Sequence, residues 1–110
     1  MPNDCWSTIE MIGPYALDAF RHHYADAPLD CCKLITTQPV LKFKLYSRWT
    51  PPRNQLLELS SKYSVWIRAT YEIEYGWIES GMYIVNQGEI LVDSSYRDRT
   101  FEYYNPRTPD

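Results

Sequence analysis

Residues 5–12 alternate between apolar and polar. Cys5, Ser7, Ile9 and Met11 share one side of an extended chain, and Trp6, Thr8, Glu10 and Ile12 share the other. A period of two marks a strand, here with Glu10 keeping the second side partly wet. Gly13-Pro14 ends it. Pro14 suits the first turn of a helix, where its missing N–H costs little. Leu17, Phe20 and Tyr24 then recur at helical spacing, and Ala16 widens the stripe. This helix is predicted to end near Asp26, because the residue before Pro28 avoids helical geometry. Residues 27–39 carry little pattern and read as a connection.

Period two returns at residues 40–46. Leu41, Phe43 and Leu45 form an apolar side, and Val40, Lys42, Lys44 and Tyr46 alternate with them. Thr50-Pro51-Pro52 predicts a helix start over 51–62, with the Thr50 hydroxyl as cap and both prolines in the first turn. Leu56, Leu57 and Leu59, joined by Tyr63, supply its stripe. Residues 64–75 predict a long strand. Val65, Ile67, Ala69, Tyr71 and Ile73 lie on one side, with Trp66, Arg68, Thr70, Glu72 and Glu74 on the other. Residues 82–86 and 89–93 flank Gln87-Gly88, which fits a tight hairpin with Gly at positive φ.

The predicted order is strand, helix, strand, helix, then three strands. It fits an α+β chain of ferredoxin-like split βαβ type: an antiparallel-rich sheet, two helices on one face, and a C-terminal hairpin. With 110 residues and no internal repeat or linker, one domain over 1–102 is expected, followed by a tail over 103–110.

Composition narrows the function. An aromatic fraction of 15% argues for a folded chain. A net charge of −3 disfavours a general binder of duplex DNA or anionic membranes. No apolar run approaches the roughly 20 residues of a membrane span, and the start lacks a signal-peptide pattern, so a cytoplasmic location is expected. The three cysteines, Cys5, Cys31 and Cys32, are odd in number with two adjacent, which reads as free thiols in a reducing compartment.

Several stretches together resemble a known family. Met1-Pro2-Asn3 with Cys5, the first strand ending at Gly13, Trp49-Thr50-Pro51-Pro52, residues 57–63, Tyr71-Glu72, Gly76, Gly81 and Gly88-Glu89 follow one another in its order. The chain is similar in these to the Api-type ferredoxin-like proteins of phages and prophages. Asp4, Ser7 and Ser64 depart from the pattern, where an aromatic, Asn and Pro are usual. The resemblance implies a ferredoxin-like fold and a phage or mobile-element origin, hence the cytoplasm of a host cell. It implies no catalytic residues.

Candidate chemistry is sparse. His22-His23 with Cys31-Cys32 is the one cluster of metal-ligand types, but adjacent helical residues diverge by about 100°, so no metal or other cofactor is expected. Cys5, Asp18 and His22 contain the types of a nucleophilic set, yet Asp18 and His22 also match an ordinary surface pair. No phosphate-loop, dinucleotide or hydrolase motif occurs, and no enzymatic activity is expected. Trp66, Glu72, Glu74, Trp77 and Glu79 place aromatics beside carboxylates, a composition suited to docking a host protein or complex. The bland reading has Phe101, Tyr103 and Tyr104 of the tail cover them. A defence inhibitor of anti-CRISPR type fits that profile. The alternative is a single-stranded nucleic-acid module using sheet aromatics with Lys42, Lys44, Arg48, Arg53 and Arg68. A free sheet edge would also permit a homodimer.

Overall fold

The computed structural model describes residues 4–28, 30–48, 50–74 and 78–97. The elements run β1 (Asp4–Ile12), α1 (Ala16–Tyr24), β2 (Cys32–Thr36), β3 (Leu41–Arg48), α2 (Arg53–Tyr63), β4 (Trp66–Glu74), β5 (Ile78–Asn86) and β6 (Glu89–Arg97). The six strands form one sheet in the order β2-β3-β1-β4-β5-β6, and every neighbouring pair is antiparallel. The architecture is thus α+β, with two helices against the sheet. No helix is long and apolar enough to cross a membrane among the described residues.

Alternation decides which face the helices cover. Ile9, Phe43, Ile67 and Ala69, all on the apolar side predicted for their strands, are fully buried. Phe20 of α1 meets Phe43 edge-on at 4.8 Å between ring centroids. Leu56 and Leu59 of α2 are sealed into the same core. Each such side chain contributes roughly 1.5–3 kcal/mol on leaving water. The helices are tied to each other by Tyr24 donating to Gln55 and by a 2.8 Å hydrogen bond between His22 Nδ1 and the Tyr63 hydroxyl.

Three expectations need correction. The unpatterned stretch 27–39 contains an edge strand, β2, in which only Cys32 is buried. An irregularity between Leu34 and Thr36 shifts its register, so no alternation is left to read. The helix expected from Pro51 begins at Arg53, and no side chain caps it. Pro51 precedes another proline, which disfavours helical geometry there. Thr50 uses its carbonyl to accept the Ser47 hydroxyl at 2.7 Å. Leu17, expected in the stripe of α1, is exposed; Ala16, Ala19, Phe20 and Tyr24 make the buried face.

Candidate functional site: the uncovered face of the sheet

The face away from the helices carries the even-numbered positions of β1, β3 and β4, and the register sets them in rows. Trp6 lies between Tyr46 and Glu72, its partners on either side. Thr8 lies between Lys44 and Thr70, Glu10 between Lys42 and Arg68, and Ile12 beside Trp66. Trp6 is 44% exposed although it sits on a central strand. Its ring is 5.3 Å from that of Tyr46 and tilted by 58°. The Tyr46 hydroxyl donates to Asp4 at 2.8 Å, and that hydrogen bond to a carboxylate raises the phenol pKa.

Charge is distributed unevenly over this face. Glu10 is held by Arg68 at 2.6 Å and by Lys42 at 3.9 Å. Lys44 directly opposes Lys33 of β2, two cations on adjacent strands. Lys33, Lys44, Arg48 and Glu72 take part in no ion pair among the described residues. Like charges in direct opposition destabilise a sheet, so the Lys33–Lys44 pair favours an anion from outside. A depression of about 370 Å³ opens beside it, lined by Trp6, Thr8, Lys44, Thr70, Glu72 and Ser80 among others.

The two expected residue sets fare differently. Trp66 is half-buried and Glu72 exposed on the uncovered face. Glu79 pairs with Ile73 and therefore belongs to the opposite, helix-side face, which separates it from Glu72. Glu74 closes β4 opposite Ile78, and its side chain lies outside the described residues, as do Trp77 and the tail over 103–110. Of the basic set, Lys42, Lys44, Arg48 and Arg68 occupy the uncovered face by register. Arg53 does not. It opens α2 on the other side, donating from Nε to Asp93 at 3.1 Å and from Nη2 to the Tyr71 hydroxyl at 2.9 Å. Its guanidinium also lies over the rings of Tyr71 and Tyr83, at 5.5 and 5.7 Å.

The residues that expectation passed over are Trp6 and Tyr46. Their signal was the shared parity: Trp6 alternates with the buried side of β1 as Tyr46 does with that of β3. Their adjacency needed the β1–β3 register.

The remaining chemical groups point elsewhere. Cys5 is fully buried beside Ser7, and burial pushes its thiol pKa up, which opposes a thiolate nucleophile. His22 is engaged with Tyr63, and its ring meets that of His23 at 4.5 Å. All three cysteines are free. No group of three or more metal-ligating side chains converges among the described residues. Comparison with protein-family models, with curated proteins and with solved structures returned no match.

Proposed function

We propose that this chain is a non-enzymatic binding module whose uncovered sheet face takes up single-stranded nucleic acid. The observation that carries the reading is Trp6. It is a large indole left half-open on a central strand, tilted against the ring of Tyr46 and bordered by the Lys33–Lys44 pair. Exposed rings on a sheet hold unpaired bases by stacking, and lysines follow the phosphates. The paired, stiff duplex offers no free base faces, so the exposed rings select unpaired strands.

A ferredoxin-like split βαβ is our reading of the first four strands. The order β2-β3-β1-β4 supports it, since each helix links strands that have one other strand between them. The β5–β6 hairpin then extends the sheet beyond β4. The resemblance to phage and prophage proteins makes a host-cell target the natural one.

The test is binding of labelled single-stranded RNA and DNA oligonucleotides over a salt series. Binding should weaken steeply with salt, with a slope of about −0.7 per phosphate contacted. Trp6→Ala should weaken it by about 5- to 160-fold, the range of one base–aromatic stack. Absence of any complex at about 50 mM salt would sink the reading.

A second reading rests on a different corner of the same face. Ile12, 50% exposed, pairs with Trp66, and this apolar step suits a host protein, including a component of a defence complex. It expects a defined partner whose binding survives Trp6→Ala and fails with Ile12→Glu.

A further inference from the structure

The depression beside Trp6 has a chemical asymmetry that a stacking platform alone does not require. Glu72 is the direct cross-strand partner of Trp6, and both line the depression. A carboxylate beside a stacking ring repels phosphate and gains nothing from a generic strand. An ionised carboxylate only accepts hydrogen bonds, and its two oxygens suit a pair of adjacent donors. Among the four bases, guanine alone presents two adjacent donors on its Watson–Crick edge, N1–H and the N2 amino group. Adenine and cytosine each set one amino donor beside a ring-nitrogen acceptor. Uracil sets one N–H between two carbonyl acceptors. Each of those edges turns a lone pair toward the carboxylate.

We infer that Trp6 and Glu72 form a guanine-selective subsite, in which the base stacks on the indole and donates N1–H and N2–H to the Glu72 carboxylate. Lys44 and Lys33 lie on the β3–β2 side of the same row system and receive the adjacent phosphate, which relieves their mutual repulsion. Thr8, Thr70 and Ser80 supply hydroxyls around the base and sugar. This selectivity rests on the single-strand reading above and adds to it the base that is preferred.

Fluorescence anisotropy with end-labelled RNA strands of about eight nucleotides separates the two claims. The strands are oligouridine carrying one central guanosine, adenosine or inosine. The guanosine strand should bind about 10-fold or more tighter than the adenosine strand, the factor one bidentate base contact supplies. Inosine keeps N1–H and lacks the amino group, so it should fall between them. Glu72→Gln exchanges one acceptor oxygen for a donor at an exposed position. It should bring the guanosine-to-adenosine ratio to one or below, because the neutral carboxamide keeps a single acceptor for guanine and matches the donor–acceptor edge of adenine. Equal affinity for guanosine and adenosine strands would overturn the subsite and leave single-strand binding standing. A guanosine preference that survives Glu72→Gln would overturn the role of Glu72. No binding of any strand would overturn both readings.

Discussion

Gly81 lies directly opposite Tyr71 in the β4–β5 register, and the Tyr71 ring occupies the space where a Gly81 side chain would stand. A glycine inside a strand usually weakens it, but an aromatic ring lying across the gap restores the packing. Alternation predicts β5 only from residue 82, whereas the strand starts at Ile78, because the compensating ring comes from another strand. Gly81→Ala should therefore push the Tyr71 ring off its seat and disturb its hydrogen bond with Arg53. The expected loss is about 1–3 kcal/mol of stability, read from denaturant midpoints. A midpoint within error of the parent would show that the ring moves freely. The turn residues behave as their chemistry dictates. Gln87 and Gly88 have φ of 51° and 83°, the pair of positive values that a two-residue hairpin with the strands' twist requires.

Elements with one face buried and one wet were legible in the sequence, and β1, β3 and β4 match their patterns to within two residues at each end. Elements held mainly by their edges were not. β2 escaped because its position beside β3, rather than its own pattern, makes it a strand. β6 runs on to Arg97, past the apolar run that announced it. Arg53 helps to hold that strand: it joins α2 to Asp93 of β6 while stacking on Tyr71 and Tyr83. Arg53 is thus a strut between a helix and the outer strands. Arg53→Met keeps much of the stem and removes the hydrogen bonds to Asp93 and Tyr71. The ion pair is partly exposed, so the cost should be modest, about 1 kcal/mol. Amide hydrogen exchange should accelerate several-fold in β6 and stay unchanged in β1 and β3. Uniform acceleration across the sheet would contradict a local strut.

At the scale of the molecule, burial sets a direction for pH dependence. The thiols of Cys5 and Cys32 and the phenols of Tyr71 and Tyr83 have raised pKa values, desolvation being the largest cause in each. A raised acid stays neutral in the folded chain while the unfolded chain ionises. Its contribution is fully present below the unfolded pKa and is lost as pH rises from there toward the folded pKa. The unfolded values are near 9.0 for the thiols and 10.0 for the phenols. Under reducing conditions the urea midpoint should fall as the pH climbs above about 9. A flat midpoint through about pH 10.5 would show that these groups ionise as readily folded as unfolded.

The sequence by itself determined the faces. A period of two sorts side chains by solvent before any strand has a neighbour, so Trp6, Tyr46, Lys42, Lys44 and Arg68 were bound to share the wet side of their own strands. Tertiary structure alone decided who meets whom. Pairing depends on strand order and register, which join residues far apart in the chain, as at Trp6 and Glu72, 66 positions apart. That pairing set a carboxylate beside the indole, moved Glu79 to the covered side and drew Arg53 into the packing beneath. Local pattern records each side chain's affinity for water; contacts across a sheet are chosen by the packing of the whole chain.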